Sequence, residues 1–231
     1  MCGRFTLRAK PEDVARAAGA GLGRLDVRPR YNIAPTQPVL AFRAGAAEAV
    51  TLRWGLIPSW AKDAAIGSRM INARAETVAL KPAFRGPFRR RRCAIAADGF
   101  YEWQRTAGAK QPFFLRLVGD RPFAFAGLWD AWQGPEGTIE SCTIITTQAN
   151  PLVQPIHDRM PVILTGDAIL RWIATPAAAA DGLRALLVPW PAEAMDAYPV
   201  SRRVNSPAHD DAACIAPVNA AAGEPPAAAG P

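Results

Sequence analysis

The stretch PFFLRLVGDRPFAFAGLWDAWQGPEGTIESCTIITT, residues 112–147, decides the fold. It holds three apolar runs, PFFLRLV (112–118), FAFAGLW (123–129) and SCTIITT (141–147), separated by segments rich in Gly, Asp and Pro. Short runs of this kind, bounded by turn formers and rich in Phe, Ile and Thr, read as strands. Working outward, VLAFR (39–43), AVTLRW (49–54), CAIAA (93–97) and PVIL (161–164) repeat the pattern. Helical signals are few and short. PEDVARAAG (11–19) has Pro at its start and Gly at its end. GDAILRWIA (166–174) has helical spacing with Asp167 as its expected cap, and the Ala-rich 177–187 predicts a third helix. The 22 prolines exclude long helices. Strands do not alternate regularly with helices, which argues against a doubly wound parallel sheet. The expectation is an α+β chain: a single compact, β-rich domain over 1–216 with short peripheral helices. APVNAAAGEPPAAAGP closes the chain, and its low complexity predicts a disordered tail over 217–231.

Half of the 231 residues are hydrophobic, enough for a packed core, yet no run of about 18 apolar residues predicts a membrane span. Arg4, Arg8 and Lys10 interrupt the apolar stretch that a signal peptide would need. Cys2, Cys93, Cys142 and Cys214 are widely spaced, with no CxxC pair for a metal. The last three read as buried small hydrophobes, and the set fits a reducing, cytoplasmic compartment. No metal and no cofactor are expected. The formal charge is +7, and only four of the 27 basic residues are lysines, leaving 23 arginines. Arginine's planar fork suits phosphate and stacks on bases, which makes an acidic polymer a reasonable partner. A GC-rich genome would produce the same bias.

Five segments combine polar groups with turn formers in ways that a core does not need. They are MCGRF (1–5), RYNIAPTQ (30–37), INARAET (71–77), DGFYEWQ (98–104) and QPIHDRMP (154–161). If Met1 is removed, Cys2 carries an α-amine and a thiol on one carbon skeleton. Such an amine has a pKa of about 7.7–8.0, so part of it is nucleophilic at cellular pH. An amine attacks an aldehyde to give an imine, and the neighbouring thiol can close on the imine carbon as a thiazolidine. That chemistry wants a proton shuttle, for which His157 is the candidate, and a carboxylate such as Glu102. Asn72 can orient the amine or the carbonyl oxygen. Each has a plain alternative: an end-of-chain thiol, a surface histidine, a solvent-facing strand position for Glu102, a turn for Asn72. PAFRGPFRRRR (82–92) and the tryptophans of RWGLIPSW (53–60) offer a basic and aromatic surface for unstacked bases. Their alternatives are a solvated charged face and core packing.

Taken together, MCGRF, RYNIAPTQ, RWGLIPSW, INARAET, RRCAIAADGFYEW, KQPFFL, IHDRMPVIL and YPVSRRVN (198–205) resemble the SOS response-associated peptidase (SRAP) family, in order along nearly the whole chain. The resemblance implies a barrel-like α+β domain that binds single-stranded DNA and captures abasic sites covalently. It makes Cys2 the nucleophile after loss of Met1, Asn72 the residue that positions the amine or sugar, Glu102 the acid/base, and His157 the proton-transfer group. It sets Arg4, Arg74 and Arg159 against phosphates, and Asn32, Trp60 and Thr146 in DNA positioning. It further implies a hydrolase or lyase acting in the DNA damage response, proteolysis of the chain's own amino terminus, a monomer, and association with the nucleoid when bound to DNA. Two other readings remain open: an N-terminal-nucleophile amidohydrolase such as a glutaminase, and a non-catalytic single-strand binding module.

Overall fold

A computed structural model describes residues 2–106 and 108–218. In chain order the elements begin with β1 (Arg4–Leu7), α1 (Glu12–Ala17), β2 (Arg30–Ile33), β3 (Pro38–Arg43), β4 (Val50–Trp54) and β5 (Asn72–Arg74). They continue with α2 (Pro82–Arg90), β6 (Arg92–Ala97), β7 (Gly99–Thr106), β8 (Ala109–Leu117), β9 (Phe123–Gly134) and β10 (Gly137–Gln148). β11 (Arg159–Pro161), β12 (Ile163–Leu164), α3 (Asp167–Ala174) and β13 (Met195–Pro199) complete the set.

β10, β4, β3, β6 and β9 pair in a ring that closes on itself, because β9 also pairs with β10. Only the β10–β4 contact in this ring is parallel. Closure removes the free edges that the apolar strands would otherwise expose. A second, antiparallel sheet runs β13-β8-β7-β1-β2. β6 and β7 are one chain segment that passes from barrel to sheet at Asp98. The two layers meet through aromatic edges: Phe125 of the barrel lies 5.5 Å from Phe5 and 6.2 Å from Phe100 of the sheet. Phe5 also packs edge-on against Trp54 at 5.2 Å. Truncating a buried Phe at such a junction costs about 3–5 kcal/mol.

The apolar runs at 39–43, 93–97, 112–118, 123–129 and 141–147 are all strands, the last three extended by polar residues at their ends. β1, β2, β5, β7 and β13 come from segments with weaker patterns, and pairing makes them strands. Gly99 shows how close that pairing is, since a Cβ there would lie 2.3 Å from the Phe114 ring. α1 ends at Gly19, whose φ of +68° is the left-handed conformation that a glycine stop adopts freely. α3 is preceded by Gly166, so Asp167 is its first residue and makes no cap bond. Residues 177–186 form a 3-10 rather than an α-helix. Cys93, Cys142 and Cys214 are buried and unpaired. The expected tail begins with Pro217 and Val218 paired back on Val200 and Pro199. Its residues 219–231 lie outside the described residues. Among the described residues no helix is long and apolar enough to cross a membrane.

Candidate active site

Cys2 lies just before β1 and is fully buried. Asn72, at the head of β5, donates from Nδ2 to the Cys2 carbonyl at 2.8 Å. The Cys2 Sγ lies 3.8 Å from the Arg4 carbonyl oxygen. β1 runs antiparallel to β7 with Arg4 opposite Tyr101, which brings residues 2–3 alongside Glu102 and Trp103. Burial, and after it the Glu102 carboxylate, push the Cys2 thiol well above its ordinary range. Glu102 is only 2 % exposed, which corrects the solvent-facing alternative. Burial lifts its carboxyl from 4.5 to about 7. A carboxyl tuned to neutrality can hold or release a proton at working pH, as acid–base chemistry requires.

β10 organises the opposite wall. β5 pairs with it in parallel, setting Asn72, Ala73 and Arg74 opposite Ile144, Ile145 and Thr146. β11 pairs on the same stretch, with Arg159 opposite Gln148. Arg159 makes a bidentate pair with Glu76 at 2.7 and 2.9 Å, and donates to the Thr146 carbonyl at 2.7 Å. The Arg159 N–H donates to His157 Nδ1 at 3.0 Å. The same Nδ1 lies 3.0 Å from Asp158 Oδ1 and 3.3 Å from the Arg159 carbonyl, so the tautomer sets which of these it engages. Burial lowers the His157 pKa, which favours the neutral form. Arg74 is exposed. Thr146 Oγ1 and Asn72 Oδ1 are buried with no hydrogen-bond partner among the described residues. An open cavity of about 400 Å³ is lined by Glu102, Trp103, Arg105, Lys110, His157 and Asn205. The acid–base pair expected from sequence therefore faces a single space.

Arg4 and Asn32 form a wall behind this space. Arg4 donates to Asn32 Oδ1 at 2.8 Å and to the carbonyls of Val204 and Asn205 at 2.6 and 3.0 Å. Asn32 is fully buried, and its Nδ2 faces the carbonyls of Val204, Ser206 and His209. Asp210 ties the same segment to β2 through the Tyr31 and Asn32 amides and Arg30. Trp60 stands apart, 59 % exposed. Its loop is fixed by the Ser59 N–H on Asp130 and the Trp132 indole on the Ala61 carbonyl. Asp130 is opposite Ser141, roughly 17 Å along β10 from Thr146. Trp54 is core, with its indole N–H bonded to the Ile71 carbonyl, so it does not pair with Trp60 as a platform.

A family model described as SOS response associated peptidase (SRAP) matches residues 1–207. The chain belongs to the SRAP family. The abasic site processing protein YoqW of Bacillus subtilis (strain 168) is 46 % identical over 218 residues, covering 90 % of this chain and 95 % of that protein. The abasic site processing protein HMCES of Gallus gallus is 36 % identical over 226 residues, covering 83 % and 67 %. A crystal structure of a protein from Bacteroides thetaiotaomicron shares the fold with a TM-score of 0.84 and 28 % identity, over 94 % of this chain and all of that one. In this SRAP chain the cavity also takes Trp103, Arg105, Lys110 and Asn205, which sequence reasoning did not single out. Trp103 sits next to Glu102, and its indole donates to Asn205 Oδ1 at 2.8 Å. The adjacency of Trp103 was readable; the arrival of Asn205 from a hundred residues away was not.

Proposed function

We propose that this SRAP protein processes abasic sites in DNA by covalent capture on Cys2 once Met1 is removed. The observation that carries the reading is the buried Glu102 carboxyl, tuned to about 7, within electrostatic reach of Cys2. The relatives' names, abasic site processing protein, supply the substrate class. The Cys2 amine adds to the aldehyde carbon of the ring-opened deoxyribose. Glu102 protonates the departing hydroxyl, so one water leaves and an imine forms. The Cys2 thiol then adds across C=N, with sulfur bonding to carbon and the proton passing to nitrogen, and closes a five-membered thiazolidine. Asn72 holds the Cys2 carbonyl, and its Oδ1 accepts from the amine or the sugar. His157, neutral at working pH, moves the proton during ring opening.

Arg74 and Arg4 attract the flanking phosphates, Arg4 bonding only neutral acceptors among the described residues, while Arg159 takes a phosphate in exchange for its Glu76 partner. Trp60 contacts the strand from its exposed loop, the buried Thr146 hydroxyl meets it only once the entering strand uncovers it, and Asn32 positions it through the 204–209 segment that it fastens. The substrate is single-stranded, bound by a monomer in the cytoplasm or on the nucleoid, and the chain removes its own Met1 as a peptidase.

Mass spectrometry of denatured mixtures with an abasic oligonucleotide tests this directly. The expected product is protein without Met1 plus the strand, less one water, and it is absent in Cys2→Ala. Correctly processed protein that yields no adduct would sink the covalent mechanism. Ammonia release from glutamine in place of an adduct would favour the amidohydrolase reading. Equal DNA association in Cys2→Ala, with no adduct in either protein, would favour the simple binding module.

A further inference from the structure

The basic run that follows β5 divides into two groups once folded. Arg91 pairs with Asp130 beside the Trp129 ring, and Arg92 is buried, donating to the carbonyls of Phe88, Arg89, Trp172 and Thr175 at the ends of α2 and α3. These two are scaffold. Lys81, Arg85, Arg89 and Arg90 are exposed, and none has a carboxylate partner among the described residues. Arg85 and Arg89 are spaced i, i+4 and share one face of α2 at a step of about 6 Å, Lys81 is the residue just before its first turn, and Arg90 ends the helix. Like charges at i,i+4 destabilise a helix by roughly 0.2–0.5 kcal/mol per pair, and no acid in the first turn offsets them. Arg89 and Arg90 complement the dipole at the C-terminal turn of α2, but Lys81 and Arg85 at its other end gain nothing of that kind from the fold.

The stripe leads from the site. The Thr77 N–H donates to the Arg74 carbonyl at 3.1 Å and the Lys81 N–H to the Thr77 carbonyl at 3.0 Å. Two such turns keep the Arg74 and Lys81 Cα atoms within roughly 13 Å. Between them stands Leu80, 67 % exposed, the most exposed large apolar side chain described. Exposed cations with an apolar surface beside them suit a strand whose phosphates face the arginines and whose bases turn aside.

We propose that the exposed face of α2, with Lys81, Arg85, Arg89 and Arg90, is a second DNA-contact surface that carries the strand away from the Cys2 site past Arg74. This rests on the reading that the abasic residue sits at Cys2. It assigns the chain a footprint longer than the catalytic cavity and gives the run PAFRGPFRRRR a role that capture chemistry does not require.

The test is the triple variant R85Q/R89Q/R90Q, compared with wild type on abasic single strands of about five and on the order of 25 nucleotides. For the long strand, affinity should fall roughly tenfold or more near 0.1 M salt, and the slope of log K against log salt should shrink by about 2, at ~0.7 per lost contact. Binding of the short strand and its adduct yield at saturation should be unchanged. Equal long-strand affinity and slope in both proteins would overturn the proposal and leave the stripe a solvated face. Lost association with phosphatidylserine vesicles alongside unchanged DNA binding would overturn it in favour of a membrane surface. If wild type forms no adduct with either strand, the covalent reading fails, while the long-strand comparison still decides the role of α2.

Discussion

The two ends of β1 differ in how their buried polar atoms are satisfied. At the Leu7 end, the buried Asp98 carboxylate accepts from Thr6 Oγ1 at 2.5 Å, from the Arg8 and Ala9 amides at 2.6 and 2.9 Å, and from Arg8 Nε at 3.2 Å. At the Cys2 end, Asn72 Oδ1 and Thr146 Oγ1 have no partner among the described residues, and burial lifts a carboxyl to about 7. One strand thus joins a saturated junction to an unsaturated one. A saturated network fixes the crossing of barrel and sheet, whereas buried polar atoms without partners cost stability and persist where a ligand can complete them.

The saturated end breaks hardest. Asp98→Ala leaves several buried donors, including a charged one, without an acceptor, and should cost about 3–5 kcal/mol in urea unfolding. Adduct formation per folded molecule should stay near wild type. A cost under 1 kcal/mol would mean that the junction is not what holds the two layers.

Glu102→Gln sharpens the contrast through pH. The folded carboxyl titrates near 7 and the unfolded one near 4.5, so the folded state keeps a proton that the unfolded state releases between them. Stability therefore falls as pH rises from about 4.5 to 7, by on the order of 3 kcal/mol, and levels off above that window. Gln cannot titrate, so the variant should lose that slope and be the more stable protein at pH 8. Its adduct formation should slow by roughly 10²–10⁴-fold. A wild-type stability curve that is flat across pH 5–7 would contradict the burial of a proton-holding carboxyl.

Asn72→Ala removes one hydrogen bond to the Cys2 carbonyl, a loss of about 1 kcal/mol in stability. Under the proposed mechanism its effect on adduct rate should exceed that, since the chain end at Cys2 loses its anchor. Equal losses in both measurements would reduce Asn72 to scaffold.

The same contrast explains what could be read in advance. Long apolar strands such as FAFAGLW announce themselves, because burial on both faces needs no partner to be inferred. β5 is three residues, NAR, and β7 carries Glu102, Gln104 and Arg105; only their neighbours make them strands. Cys2, Asn72, Glu102 and His157 could be singled out as candidates because their chemistry is distinctive, and the fold sets Asn72 on the Cys2 carbonyl and Glu102 and His157 on one cavity. The network that binds Arg4 and Asn32 to residues 204–209 was hidden, since its acceptors are backbone carbonyls that any sequence supplies. α2 was hidden as a helix because Pro87 lies within it and six basic residues crowd its length and flanks.

Thr146→Val is the smallest and sharpest test. Valine keeps the shape of threonine but replaces the hydroxyl with a methyl group. Where a buried hydroxyl is bonded within the fold, losing it costs about 1 kcal/mol; where it has no partner, its removal recovers part of a burial penalty. Thr146 Oγ1 has no partner among the described residues, so the variant should match wild-type stability or exceed it by up to about 1 kcal/mol. The Thr146 carbonyl that holds Arg159 and Ala75 is untouched, so the wall should keep its geometry. Binding of an abasic strand should weaken by about 1 kcal/mol, the loss of one hydrogen bond to the substrate. A variant that loses stability and binds DNA as before would show the hydroxyl bonded inside the protein, and the two ends of β1 would then be alike.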